Sequence, residues 1–207
     1  MKTQLVSAAH PNAIALAGGV IRAGGLIAFP TDTLYGLGCD PLSPAALQKI
    51  YAAKERSAAK AIPVLISDPD QLNSLVSAIP GQVSKLMDAF WPGALTLVLP
   101  KCPELPPDLT PYPGLAVRMP RHPVALALLS QTGPLAVTSA NLSDHENPKD
   151  AHGVLAQLDG LVDLILDGGK LLGGQASTII DCSGSEPKLL REGPIPFSAI
   201  LERWCAS

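Results

Sequence analysis

The chain has 207 residues and a formal net charge of −3, from 15 basic and 18 acidic side chains. This acidic balance argues against a protein that binds nucleic acid through its overall charge. Hydrophobic residues make up 47% of the sequence, enough for a core in one large domain or two small ones. No apolar run reaches the length of a membrane span, and no apolar segment near the N-terminus indicates a signal peptide. The four cysteines are scattered, so we expect reduced thiols in a cytoplasmic protein.

Apolar periodicity and turn residues predict alternating helices and strands. In the first half we expect helices over 12–22, 43–53 and 82–90, a helix opening at 68–71, and strands over 26–29, 62–66 and 95–99. After a Pro-rich loop over 101–113, we expect strands over 115–118, 135–138, 161–166, 178–181 and 189–190, and helices over 123–131, 151–158 and from residue 197. Several strands follow one another without a helix between them. The pattern therefore predicts an α/β fold with a mixed sheet and helices on its faces.

One polar, glycine-marked stretch, 29–38, follows the first predicted strand. Pro30 cannot donate to a strand ladder, and Gly36 and Gly38 are expected to let the backbone turn. Loops at strand ends are where open α/β sheets bind ligands. The alternative is an ordinary strand-to-helix connection capped by Asp32.

A cluster of cations follows the second predicted helix, at Lys54, Arg56 and Lys60. Cations at a helix end favour the negative pole of the helix and are often solvated. They can equally hold a polyphosphate, with arginine giving bidentate bonds and lysine acting as a point charge. The spacing leaves both interpretations open.

Two further stretches can approach a ligand. Residues 138–143 follow a strand, so Ser139 and Asn141 can cap the next helix or hydrogen-bond a phosphate or ribose. Residues 167–178 contain paired glycines but not the Walker A spacing, and are either a flexible connection or a close approach to a ligand. The histidines show no metal-ligand spacing, so we expect no metal held by the protein.

Taken in order, these motifs resemble the YrdC-like family of threonylcarbamoyl-AMP synthases, from about Gly24 to Gly193. The matching residues read P-T-D-T-x-Y-G-L-G, K-x-R-x-x-x-K, T-S-A-N-x-S, G-G-x-x-x-G-G-x-x-S-T and L-R-E-G. The resemblance implies a twisted open α/β sheet with a concave, positively charged cavity. It also implies the short form of the family, with residues 1–207 as a single domain.

The resemblance implies a nucleotidyltransferase of the tRNA t6A modification pathway. Such an enzyme makes L-threonylcarbamoyladenylate and pyrophosphate from L-threonine, bicarbonate or CO2, and ATP. Mg2+ would arrive with ATP, and t6A transferase proteins would use the product downstream.

The resemblance also assigns roles to residues at matching positions. Lys54 and Arg56 would be catalytic and would hold the triphosphate together with Lys60. The remaining nucleotide contacts would come from Ser139, Asn141, Asn147 and Arg191. The threonine contacts would come from Thr31, Arg118 and Ser177. The chain departs from the family pattern at Ala61, Leu65 and Asp144, which affects the expected threonine pocket more than the nucleotide site.

Two alternatives remain at this stage. The same cations could make a non-catalytic module that binds double-stranded RNA or tRNA, although the acidic charge and few aromatic residues weigh against it. The second alternative is a related enzyme that makes an adenylate from carbamoyl phosphate, although that activity usually belongs to a much larger chain.

Overall fold

The protein is described by a computed structural model that covers residues 2–55, 57, 60–171 and 173–206. One ten-stranded sheet organises this part of the chain. Its strands are β1 Gln4–Ser7, β2 Ile27–Pro30, β3 Tyr35–Cys39, β4 Val64–Leu65, β5 Leu95–Pro100, β6 Gly114–Arg118, β7 Leu135–Ser139, β8 Leu164–Asp167, β9 Thr178–Asp181 and β10 Lys188–Arg191. The helices are α1 Ala13–Arg22, α2 Pro44–Lys54, α3 Gly81–Phe90, α4 Pro123–Thr132, α5 Ala151–Leu158 and α6 Phe197–Cys205, with a 3-10 helix at Pro69–Ser74.

The sheet is open and mixed. Its order is β1-β8-β2-β3-β7-β4-β6-β5-β9-β10, so β1 and β10 form the two edges. Four neighbouring pairs are parallel and five are antiparallel. The antiparallel pairs include strands that follow one another in the chain, such as β2 with β3 and β5 with β6. The expected mixed sheet is therefore confirmed.

Helices cover both faces of the sheet, as the sequence predicted. Successive side chains of a strand point to opposite faces, and β2 shows this division. Ala28 belongs to the larger apolar cluster, which also contains residues of α2, α3, α5 and α6. Ile27 and Phe29 belong to a second cluster that contains residues of α1 and α4. No helix within the described ranges has the length and apolar character needed to cross a membrane.

The expected turn at Gly36 and Gly38 is wrong, because both glycines lie inside β3. The chain reverses earlier, over 31–34, and Pro30 still pairs with Tyr35. Glycine is favoured at both positions because a larger residue would crowd neighbouring side chains. A Cβ on Gly36 would lie 2.6 Å from Cγ1 of Val137, and a Cβ on Gly38 would lie 3.1 Å from Cε1 of Phe29. Glycine at these positions lets neighbouring side chains cross the strand.

Two other segments differ from the sequence prediction. The first residues, which gave no clear prediction, form β1 and pair with β8 in parallel. The helix expected to open at 68–71 is a 3-10 helix, with the Asp68 side chain accepting a hydrogen bond from the backbone N–H of Asp70. The Pro-rich loop packs inward through Leu105 and Leu109, and the carbonyl of Leu109 accepts a hydrogen bond from the N–H of Ile62.

Candidate active site

A cavity of about 330 Å³ is lined by residues of β3, β4, β5, β6, β7, β9 and β10 and of the loops beside them. This volume falls within the range of small-molecule sites, about 300 to 1,000 Å³. The carboxyl end of β7 lies beside the amino ends of β3 and β4, and the carboxyl ends of β4 and β6 lie towards the amino ends of β5 and β9. The lining residues are Thr31, Thr33, Leu34, Tyr35, Gly36, Ala61, Pro63, Leu65, Thr96, Arg118, Val137, Thr138, Ser139, Asn147, Ala176, Ser177, Ile179 and Arg191.

Arg118, at the end of β6, is the buried cation of the cavity, with 6% of its surface exposed. Its Nε donates to the carbonyl of Gly93 at 2.8 Å, and NH1 donates to Oγ1 of Thr33 at 2.7 Å. NH2 donates to Oδ1 of Asp32 at 2.5 Å, in a salt bridge. These bonds use three of the five N–H groups of a guanidinium. One N–H on NH1 and one on NH2 have no partner among the residues that the structure describes, so both can donate to a ligand.

The cavity carries more positive than negative charge because Arg191 lines it as well. Burial lowers the pKa of Arg118, while Asp32 opposes that shift and Arg191 adds to it. Burial also lowers the pKa of Arg191. Arginine nevertheless stays protonated in proteins. The two guanidiniums repel each other, so an anion bound beside them would be stabilised. The concave basic cavity implied by the resemblance is thus present, although its cations are arginines.

Thr31 lines the cavity, but its hydroxyl is engaged in the β2–β3 turn. Its Oγ1 donates to the carbonyl of Leu34 at 2.6 Å and accepts from the N–H groups of Thr33 and Leu34, each at 3.2 Å. The hydroxyls of Thr31 and Thr33 lie 3.1 Å apart. The side chain of Thr31 therefore stabilises the turn between β2 and β3. In this turn the hydroxyl of Thr33 accepts a hydrogen bond from Arg118.

Ser177 lies beside Thr96 and Arg191. Its Oγ is 2.7 Å from Oγ1 of Thr96 and accepts from NH2 of Arg191 at 3.2 Å. Nε of Arg191 donates to the carbonyl of Ser177 at 3.0 Å. Ser177 and Arg191 were assigned to different substrates by resemblance, and the structure brings them into direct contact.

Lys54 is the last residue of α2, and only 1% of its surface is exposed. It is not among the residues that line the cavity. Its ammonium donates to the carbonyl of Ser139 at 2.5 Å, to the carbonyl of Asn141, and to Oδ1 of Asn141 at 3.1 Å. The ammonium thus binds oxygens at the end of β7 and in the loop that follows. The predicted contact of Lys54 with a triphosphate stays a prediction.

Ser139, the last residue of β7, lines the cavity, and the loop that follows contains the buried Asn141. Oγ of Ser139 donates to Oδ1 of Asn141 at 2.5 Å, and Nδ2 of Asn141 donates to the carbonyl of His145 at 2.7 Å. Asn141 is buried and does not line the cavity, whereas Ser139 and the exposed Asn147 do. Asn141 thus links the end of β7, which carries Ser139, to the loop that carries Asn147.

The remaining predicted cations have mixed outcomes. Lys60 is exposed and does not line the cavity. Arg56, one of the two predicted catalytic residues, lies outside the described residues. Their predicted contacts with a nucleotide stay predictions.

The three departures from the family pattern have clear positions. Ala61 and Leu65 both line the cavity and add apolar surface to it. Asp144 has a φ of 64°, in the left-handed region that glycine adopts without strain. Aspartate tolerates this region better than most residues, so the backbone shape that glycine would permit is kept here.

Four further residues of the site were not predicted as contacts: Asp32, Thr33, Tyr35 and Thr96. The hydroxyl of Tyr35 donates to the carbonyl of Gly169 at 2.8 Å and accepts from the N–H of Gly168 at 3.2 Å. Burial raises the pKa of this phenol to about 12. Three of the four lie in the motif already singled out. Thr96 carries a weaker signal, as a hydroxyl inside the apolar run of β5.

The chain matches the family described as Telomere recombination (Sua5/YciO/YrdC) over residues 19–193. A relative from Mycobacterium tuberculosis is 41% identical over 185 residues, which are 89% of this chain and 85% of that protein. The threonylcarbamoyl-AMP synthase of Bacillus subtilis is 44% identical over 185 residues, or 88% of this chain and 54% of the enzyme. The chain belongs to the Sua5/YciO/YrdC family.

Within that family, the crystal structure of Pyrococcus abyssi Sua5 complexed with L-threonine shares the fold. Its TM-score is 0.92 at 39% identity, covering 98% of this chain and 61% of that one. The chain therefore spans only a little over half of the B. subtilis and P. abyssi proteins, but most of the M. tuberculosis relative. The expected α/β fold of this family is confirmed.

Proposed function

We propose that the protein is an L-threonylcarbamoyladenylate synthase, a nucleotidyltransferase that acts on L-threonine, bicarbonate or CO2, and ATP. The observation that carries the proposal is the buried Arg118, which keeps two N–H groups for an anion inside the cavity. Support comes from relatives with this enzyme name, and from the relative whose structure holds L-threonine.

Arg118 is placed to bind the carboxylate of threonine. A guanidinium held by three internal partners has little freedom left to lose on binding, and it can form a charge-assisted bond to a carboxylate. The apolar lining at Pro63, Leu65 and Val137 offers a surface for the aliphatic part of the amino acid. Ser177 completes this end of the cavity.

The nucleotide would occupy the part of the cavity near Ser139 and Asn147, and Arg191, which contacts Ser177, would lie between the two substrates. Because the Ser139 hydroxyl already donates to Asn141, its oxygen is available to accept from a ribose or amino group. Arg191 adds positive charge near the phosphates, and Lys60 and Arg56 are proposed to reach the triphosphate from the segment after α2. Lys54 would act by holding the loop that carries Ser139.

Mg2+ is proposed to enter with ATP as part of the substrate, bound mainly by phosphate oxygens and water. Over residues 2–55, 57, 60–171 and 173–206, no cluster of three or more histidine, cysteine or acidic side chains could hold a metal. The protein's part is to supply the fixed positive charges, which stabilise charge developing at a phosphoryl group.

The proposed reaction forms two bonds in sequence. The amine of threonine attacks CO2 and loses a proton, which gives a carbamate. A carbamate oxygen then attacks the α-phosphorus of ATP, and the bond from that phosphorus to the bridging oxygen breaks, releasing pyrophosphate. Arg118 would hold the threonine carboxylate so that the carbamate oxygen faces the α-phosphate, which is a positioning effect. No side chain needs to act as a nucleophile.

The test is a pyrophosphate-release assay with ATP, Mg2+ and bicarbonate, with and without L-threonine, and with mass spectrometry of the product. Release that needs both threonine and bicarbonate, with a threonylcarbamoyl-adenylate mass, supports the proposal. Release that needs neither would contradict it. Absence of release together with salt-sensitive binding of tRNA would favour the RNA-binding alternative.

The product would be used by t6A transferase proteins acting on tRNA, so a contact with tRNA or with such a protein is also proposed. The four cysteines are free thiols, which supports a cytoplasmic location. Addition of the purified protein to extracts that lack t6A synthesis would test the link to tRNA. Failure to restore t6A there, despite adenylate formation, would contradict that link.

A further inference from the structure

Thr96 is a buried polar residue near the start of β5, and none of the assignments above gives it a role. Only 3% of its surface is exposed, and it lines the cavity. Its Oγ1 lies 2.7 Å from Oγ of Ser177. Within the described part of the chain, Ser177 is the one hydrogen-bond partner found for this hydroxyl.

The two hydroxyls together present one hydrogen to the cavity. Each hydroxyl has one hydrogen and can accept through its oxygen. The bond between Thr96 and Ser177 uses one of the two hydrogens, whichever residue donates it. The other hydrogen has no acceptor among the described residues, and both side chains line the cavity. A ligand oxygen that binds in the cavity can therefore accept this hydrogen.

Arg191 determines which hydroxyl supplies that hydrogen. Its NH2 donates to Oγ of Ser177 at 3.2 Å, so the serine oxygen already accepts from a cation. An oxygen that accepts from a charged donor becomes a stronger donor itself, because hydrogen bonds in a chain polarise one another. Ser177 is thus the better donor to an anion, and Thr96 is left to donate to Ser177.

We infer that Thr96 is a positioning residue that makes the Ser177 hydroxyl a donor to an anionic oxygen of the substrate, a carboxylate or carbamate. The inference rests on the proposed function for the identity of that substrate. In this arrangement Ser177 accepts from Thr96 and Arg191 and donates to the ligand. Thr96 does not contact the substrate in this arrangement. It acts only through Ser177, by fixing the direction of the Ser177 hydroxyl.

The first test compares Thr96→Val with Thr96→Ser. Valine keeps the shape but removes the hydroxyl, whereas serine keeps the hydroxyl. For Thr96→Val we expect the KM for L-threonine to rise roughly fivefold, with the KM for ATP changed less than about twofold, since one hydrogen bond is weakened. Thr96→Ser should restore the wild-type KM. An equal loss in both variants would overturn the inference, because it would indicate packing.

The second test is a double-mutant cycle with Ser177→Ala. If Thr96 acts through Ser177, Thr96→Val should change the KM for threonine less than about twofold in the Ser177→Ala background. Equal effects in the two backgrounds would contradict the inference. Thermal unfolding of each variant checks the fold. If Thr96→Val does not fold, Thr96→Ala, which also lacks the hydroxyl, takes its place in both tests.

These outcomes separate the inference from the proposed function. If the wild-type protein releases no pyrophosphate with threonine and bicarbonate, the proposed function fails. Isothermal titration with L-threonine then tests whether the amino acid binds at all. If it does not bind, the inference about Thr96 fails together with the proposed function. If the wild type is active and Thr96→Val behaves like it, the inference alone fails.

Discussion

Arg118 and Lys54 are two cations that were both predicted to contact a substrate, and the structure shows different uses of their charge. Both are buried, with 6% and 1% of their surface exposed. Arg118 donates to one backbone carbonyl and two side chains and keeps N–H groups for a ligand. Lys54 does not itself line the cavity, and it directs its ammonium to the oxygens of Ser139 and Asn141.

The difference follows from the shapes of the two side chains. A guanidinium is a planar fork with five donors, so it can be fixed from one side and still bind from the other. An ammonium has three donors around one point, and oxygens of the loop after β7 surround it in this structure. A cation in a binding motif can therefore either contact the ligand or hold the segment that does.

The largest effect is expected from Arg118→Ala. Loss of the guanidinium removes the proposed partner of the threonine carboxylate, so kcat/KM for threonine should fall on the order of 100-fold. Arg118→Lys should also be impaired, because lysine cannot reproduce the fork. Steady-state kinetics with threonine varied at saturating ATP measures this. A wild-type kcat/KM in either variant, with the fold intact, would contradict the proposed role of Arg118 in binding threonine.

Lys54→Met tests the proposed structural role of Lys54, since methionine keeps much of the side-chain length but lacks the charge. We expect the free energy of unfolding to fall by about 2 kcal/mol, because buried carbonyl oxygens lose their donor. Urea denaturation measures this, with Lys60→Met as the matched control at an exposed cation. Activity should also fall through the displaced Ser139. A variant with wild-type stability and no ATP binding would instead support direct contact with the triphosphate.

Much of the fold was predictable because it depends on local patterns. The apolar strands β5 and β7 and the helix α5 lie where the sequence indicated. The short strand β1 gave no signal, since its side chains are largely exposed and its pairing with β8 joins residues about 160 positions apart. Gly36 and Gly38 were misassigned because crowding by Val137 and Phe29 is visible only in three dimensions.

The site was predictable to the level of its motifs but not of its contacts. Arg118, Ser139, Ser177 and Arg191 do meet at one cavity. The direction of each side chain depends on partners that are distant in sequence, so the burial of Lys54 could not be foreseen from its spacing. Thr96 was missed for the same reason, because its partner Ser177 lies 81 residues away.

Asp32→Asn tests how far the fixed position of Arg118 depends on charge. Oδ1 of Asp32 accepts from Arg118 and also from the N–H of Arg121 at 3.0 Å. Asparagine can keep an oxygen at this place but removes the negative charge. We expect the KM for threonine to rise about fivefold, since the charge-assisted bond that fixes Arg118 becomes a neutral one. The KM for ATP should stay near the wild-type value, and a selective rise in that KM would contradict the assignment.

The smallest effect is expected from Tyr35→Phe, which removes the hydrogen bonds from β3 to the Gly168–Gly169 segment. At neutral pH we expect a loss of about 1 kcal/mol of unfolding free energy. Burial raises the pKa of Tyr35 to about 12, above the value of about 10 for an exposed tyrosine. The folded state therefore keeps this proton over a pH range in which the unfolded state releases it.

The sign of the pH effect follows from that difference in proton binding. The stability that the protonated phenol contributes is fully present below about pH 10 and is lost as the pH rises towards about 12. The advantage of the wild type over Tyr35→Phe should therefore shrink across this window. Denaturation curves at pH 8, 10 and 11 measure it, with Tyr112→Phe as the control at an exposed tyrosine. A constant difference between the two proteins would show that the Tyr35 hydroxyl does not hold its proton more tightly in the folded state.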